Sequence, residues 1–256
     1  MVPDRLFNQA AQILQEINNH PEHLKKISDP LRPVVLIALT NLQSYESHSE
    51  KTIQESLRIL NDCRNGEIPK SSFVKRIQKA FQNRSNNRVT STQLARALKQ
   101  CEQELWFRQG EELFKKGNTD EAFTKLDNAA KKGSARAHTL LGQMFEQKQV
   151  SEDRRTVYLN TFGLHGPYFS KESVRKRHKS LDFDVELARE FYAKGADKGD
   201  PVAMRKIAER NLAIFDQSVK DKRPKQQFKK GALQWLKKAA KLGDAESAEL
   251  LKKHAA

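Results

Sequence analysis

Residues 120–145 read DEAFTKLDNAAKKGSARAHTLLGQMF, with Ala122, Leu126, Ala130, Gly133, Ala137, Leu141 and Gly142 at regular intervals. The pattern returns at 184–211, DVELAREFYAKGADKGDPVAMRKIAERN, as Ala188, Tyr192, Ala196, Gly199, Ala203, Ile207 and Ala208, each displaced by 66 positions. It returns again at 231–255, GALQWLKKAAKLGDAESAELLKKHA, as Ala232, Leu236, Ala240, Gly243, Ser247, Leu251 and Lys252, displaced by 110. Spacings of four put each set on one helix face, and the glycine interrupts them where a helix would end. The order is therefore helix, left-handed glycine cap, then a new helix almost at once. Ser134, Asp200 and Asp244 stand directly after the glycines as N-cap candidates.

Upstream, residues 104–130 read ELWFRQGEELFKKGNTDEAFTKLDNAA. Trp106, Gly110 and Leu113 share a face of a first helix, Gly117-Asn118 makes a turn, and Ala122, Leu126, Ala129 and Ala130 face it from a second. Small residues at Gly110 and Ala122 let the two backbones approach closely, and Trp106 and Leu126 fill the wider gaps. This segment resembles the tetratricopeptide repeat. The threefold pattern with its AA-x-x-G turn resembles the Sel-one-like repeat family over about residues 103–256. Gly110 and Gly142 lie 32 residues apart, close to the tetratricopeptide period of ~34. Departures are an insertion at about 154–183, a shorter one before Ala232, Lys252 where a small residue is usual, and missing glycines near Val150 and Asp153. The resemblance implies a right-handed α-solenoid of stacked hairpins, and a scaffold that holds a protein partner.

Residues 1–88 are expected to form a helical N-terminal domain, and 89–256 the repeat domain. In the first part, helices are expected through Phe7 to Ile17, after Pro33 through Leu42 and Tyr45, from Ser49 to a stop at Asn65-Gly66, and from Ser71-Ser72 through Phe81. Residues 82–88 are polar and turn-like. Ser91-Thr92 opens a longer helix.

The chain of 256 residues is 37 % hydrophobic and 31 % charged, a balance suited to amphipathic helices that each bury one side. Its longest apolar run, Val34 to Leu39, falls far short of the ~20 residues of a spanning helix, and the N-terminus has no signal-peptide pattern. A cytoplasmic, monomeric protein is expected, with a non-cleaved secretion signal into a host cell left open. Cys63 and Cys101 lack a metal or disulfide spacing and fall on apolar helix positions. No nucleophile–base constellation, metal cluster or cofactor motif stands out, so the chain is read as a binding protein and not an enzyme.

If first helices line a concave face, the resemblance implies protein-binding residues at Phe107, Glu111, Phe114 and Lys115. Arg136, Thr139, Gln143 and Glu146 follow on the next helix, then Arg205, Glu209 and Leu212. In the insertion, Tyr158, Phe162, Tyr168 and Phe169 are aromatic and Arg175, Lys176, Arg177 and Lys179 basic, which fits anchors and a match to an acidic partner surface. The partner could be an enzyme that the chain modulates, as for a bacterial regulator or effector. The net charge of +15 raises nucleic acid or an anionic surface as an alternative. The basic segment Asp216–Lys230 reads as an exposed loop without stacking aromatics, and on that reading nucleic acid is disfavoured.

Overall fold

The computed structural model describes residues 31–44, 47–65, 89–161, 182–217 and 222–255, with isolated positions 9, 12, 13, 16, 27, 74 and 75. Among the described residues there are ten α-helices and no strand. In chain order these are α1 (Arg32–Gln43), α2 (Glu50–Arg64), α3 (Ser91–Lys115), α4 (Thr119–Lys131) and α5 (Ala135–Glu146). They continue with α6 (Glu152–Thr161), α7 (Phe183–Asp197), α8 (Pro201–Gln217), α9 (Lys222–Lys241) and α10 (Ala245–Ala255). The chain divides into two compact units, Met1–Arg108 and Gln109–Ala256. The boundary expected at 88 falls in the segment 82–88, outside the described residues.

In the first unit α1 and α2 pack as a pair. Pro33 sits in the first turn of α1, where its missing N–H costs nothing. Ser49 caps α2 by accepting from the Thr52 amide, and Asn65 ends it. Val34, Ala38, Leu39, Leu42, Ile53, Leu57 and Leu60 form a core with Leu94, Leu98, Cys101 and Leu105 of α3. Each such leucine contributes about 1.5–3 kcal/mol by leaving water. Asn41 Nδ2 donates to Ser56 Oγ at 3.1 Å inside this core. Of the expected first helix only Gln9, Gln12, Ile13 and Glu16 are described, all helical, with Ile13 in the core. Of the expected fourth, only Val74 and Lys75 are described.

α3 opens at Ser91, where the sequence reading starts it, and Thr90 caps it: its Oγ1 accepts from the Gln93 amide at 3.2 Å, and Gln93 Oε1 accepts from the Thr90 amide at 2.8 Å. This reciprocal capping box satisfies two amides that the helix itself leaves without acceptors.

In the second unit consecutive helices pack on one another: α4 on α5, α5 on α7, α7 on α8, α8 on α9 and α9 on α10. The repeated turn has one geometry at all three sites. Gly133, Gly199 and Gly243 have φ of 108°, 94° and 93°, which only glycine adopts without strain. Their amides bond back to Ala130, Ala196 and Ala240, and the next amides to Ala129, Gly195 and Ala239, all at 2.9–3.1 Å. These are paired 5→2 and 6→1 closures of a Schellman cap. Ser134, Asp200 and Asp244 then cap the following helices, accepting from the amides of Ala137, Ala203 and Ser247. After α5, where glycine is missing, Lys148 takes the left-handed conformation itself (φ 57°) and the same two closures form.

Close approach between paired helices follows the small residues. A Cβ on Gly110 would lie 2.6 Å from Leu126 Cγ, and one on Gly142 would lie 2.8 Å from a Tyr192 ring carbon. Ala208 fills the corresponding place in the α8–α9 pair, clustered with Leu212, Ala232 and Leu236. Thus one contact geometry recurs with Gly/Leu, Gly/Tyr and Ala/Leu.

Candidate functional site

The candidate surface is built on α5 and α8, each the first helix of a hairpin, and on α10, which follows the third turn; each is entered through a capped glycine turn. Because the three turns are alike, these helices present corresponding positions, and α5 and α8 also touch each other. Charged side chains link them in a chain of ion pairs. Lys206 Nζ on α8 lies 3.3 Å from Glu146 at the end of α5 and 3.8 Å from Glu209. Arg205 lies 3.3 Å from Glu209, 3.1 Å from Asp244 and 2.5 Å from Glu246 on α10. From the second helix α7, the Tyr192 hydroxyl donates to Glu146 Oε2 at 2.7 Å. Burial, then the bond to Glu146, pushes the Tyr192 phenol far above its ordinary value, so it remains a donor.

Of these residues the sequence reading had picked Glu146, Arg205 and Glu209, and the structure brings them together. It missed Lys206, Tyr192, Asp244 and Glu246. The i, i+3 and i, i+4 spacings of Lys206 and Arg205 to Glu209 were readable; the bridge to Glu146 and Glu246 depends on how hairpins pack. Arg205 has 12 % side-chain exposure, so part of its charge is out of water and its carboxylate partners are needed there. Within this ladder Arg205 and Lys206 are each paired to acids.

The other predicted residues are placed as follows. Glu111 is half-buried and pairs with exposed Lys115 at 3.7 Å, and Phe114 is half-buried. Arg136 is exposed and Gln143 half-buried. Three expectations fail because the side chains are interior. Phe107 is 3 % exposed and Leu212 5 %, the latter in the α8–α9 core. Thr139 is 5 % exposed, donates to the Ala135 carbonyl, and lies against Gly195 of α7. Tyr168, Phe169, Arg175 and Arg177 lie outside the described residues.

The stem of the insertion is well defined. α6 packs on α7, so its first part is helix and not loop. Tyr158 is no free anchor: its ring packs against Phe123, Phe145 and Phe191 at 5.1–6.1 Å, and its hydroxyl donates to Asp127. Arg154 stacks over Phe123 at 4.8 Å. Arg155 pairs with Asp184 at 2.6 Å and Lys148 with Asp182 at 2.9 Å, so residues before and after the insertion are tied together. The pair raises Lys148 and lowers Asp182 from their ordinary values, chiefly through their shared hydrogen bond.

Burial pushes the Cys63 thiol up to about 12 and Cys101 higher still, with neighbouring carboxylates adding to both. Neither is a poised nucleophile. Among the described residues no three His, Cys, Asp or Glu side chains cluster as metal ligands. No described helix is long and apolar enough to cross a membrane. Compared with protein-family models, curated proteins and solved structures, the chain has no significant match.

Proposed function

We propose that this chain is an adaptor or regulator that binds a specific protein through the first-helix face of its second unit. On this reading the second unit is a right-handed α-solenoid of Sel-one-like hairpins, preceded by a helical N-terminal domain, and works in the cytoplasm as a monomer. The observation that carries the proposal is the recurrence of one glycine-capped turn at Gly133, Gly199 and Gly243. Repeated identical turns give successive hairpins the same offset, and regular offsets generate the extended concave surfaces that repeat proteins use for binding. The ion-paired ladder keeps that surface rigid. Exposed Arg136 and half-buried Gln143 on α5 supply further contacts on it.

A regulator of an enzyme, such as a bacterial effector, is the version in which the partner's activity changes on binding. The test is affinity capture with the full chain from its native lysate, in parallel with an Arg136→Glu/Gln143→Arg variant of matched thermal stability. One stoichiometric protein held by the unaltered chain in high salt and lost by the variant supports the proposal. Equal capture by both chains, or nothing retained in high salt, rejects it.

A further inference from the structure

The basic segment that read as a loop is largely helical, and this changes its chemistry. Residues 222–230 belong to α9, whose sequence KRPKQQFKKGALQWLKKAAK contains no acid. One side of α9 is core: Ala232, Leu236 and Ala239 are fully buried against α8 and α10. Lys230, Gln234, Lys237, Lys238 and Lys241 are all exposed. Their spacing of 4, 3, 1 and 3 puts them on the opposite side, in a stripe of about 16 Å at ~1.5 Å per residue. Gln226 and Gln227 extend the stripe toward the helix start. Among the described residues none of these four lysines has an acidic partner. Lys238 instead lies 4.7 Å over the Trp235 ring. The contrast with Arg205 and Lys206, each paired to acids, locates unbalanced positive charge here.

We propose that the α9 stripe binds double-stranded nucleic acid through its phosphates, independently of the first-helix face. Three observations choose this occupant. Protein interfaces are depleted of lysine and built on apolar anchors, and this stripe consists of lysine and glutamine. An amphipathic helix that enters a bilayer needs its apolar side, and that side of α9 is occupied by α8 and α10. Single strands are held by stacking aromatics, and the exposed large apolar residues among those described are Val157, Val185 and Leu242, none aromatic. What remains is a straight row of hydrated point charges with amide donors between them, which suits a row of phosphates and carries no base readout.

The test titrates the full chain into fluorescein-labelled 24-base-pair DNA duplexes of two unrelated sequences, followed by anisotropy between about 50 and 200 mM KCl. Neutralising four phosphates gives a slope of log K against log salt of about −3.6, or a loss of about 10²-fold across that range. Both duplexes should bind alike. Lys230→Gln/Lys237→Gln/Lys241→Gln should flatten the slope by about 3. Lys116→Gln/Lys131→Gln/Lys148→Gln, which removes equal charge from ion-paired lysines, should leave it unchanged. The proposal is overturned if the two triple variants weaken binding equally. It is also overturned if a single strand of the same sequence, poly-glutamate or phosphatidylserine vesicles compete for the stripe better than the duplex.

Discussion

Replacing Gly142 by alanine tests whether the hairpins are held by close backbone approach. The new Cβ would lie 2.8 and 2.9 Å from two Tyr192 ring carbons and 3.2 Å from the Ala188 carbonyl oxygen. Ordinary contact needs 3.4 Å or more, so α5 and α7 must separate or the ring must turn. The ring has little room, being 5 % exposed with its hydroxyl held by Glu146. Overpacking costs about 1–3 kcal/mol, and three contacts below 3.4 Å, one of them to backbone, put this site at about 2–3 kcal/mol. Alanine returns about 1 kcal/mol of helix propensity, leaving a net loss of about 1–2 kcal/mol. At 2–4 °C per kcal/mol, the melting temperature should fall by roughly 2–8 °C. Gly231→Ala supplies the opposite sign. Its Cβ would meet nothing nearer than Asn211 Nδ2 at 3.7 Å, so only the propensity gain remains, about 0.5–1 kcal/mol. Urea unfolding followed by far-ultraviolet circular dichroism reads both. If Gly142→Ala proved as stable as the unaltered chain, or if both variants moved the same way, the close packing of α5 on α7 would be wrong.

Ser247→Ala should raise stability by about 1 kcal/mol, because the buried Ser247 Oγ has no hydrogen-bond partner and alanine fills the equivalent places at 137 and 203; a lower urea midpoint would count against this. His138 is buried with Nδ1–H donating to the Ser134 carbonyl at 2.6 Å, and burial above all lowers its pKa below the ordinary 6.5. The unfolded chain therefore takes up the proton first. The contribution of His138 is fully present above about pH 6.5 and declines as the pH falls toward the lower folded value. His138→Gln should flatten that decline in urea midpoints measured from pH 7.5 to 5. Cys63 and Cys101 should resist a disulfide reagent at pH 8 in the native protein and react promptly in guanidinium; fast native labelling would contradict the raised thiol values.

The repeated turn was legible because its causes are local. A glycine that must be left-handed and a Ser or Asp that must cap lie within a few residues of each other, and all three sites behave as read. The close approach at Gly110 follows from its size, but its neighbour is Leu126, which the sequence reading sets in the wider gaps, and the Gly142–Tyr192 contact has no counterpart in that reading. The ladder was half legible: Glu146, Arg205 and Glu209 were chosen as face residues, but their linkage through Lys206 and Glu246 needs neighbouring hairpins. Phe107 and Thr139 were misplaced because a helical period gives a face only to within about one position per turn, enough to move a side chain from rim to core. The segment Asp216–Lys230 reads as a loop through its run of basic residues, and it contains Pro224. Proline is compatible with a helix's first turn, and Ala232, Leu236 and Ala239 anchor the rest of α9.

Hydrogen exchange of the full chain, alone and bound to the protein it captures in high salt, tests the central claim most directly. The account predicts added protection on α5, α8 and α10, at 135–146, 201–217 and 245–255, with α4, α7 and α9 little changed. Protection confined to those second helices, or spread over neither set, would contradict a first-helix binding face.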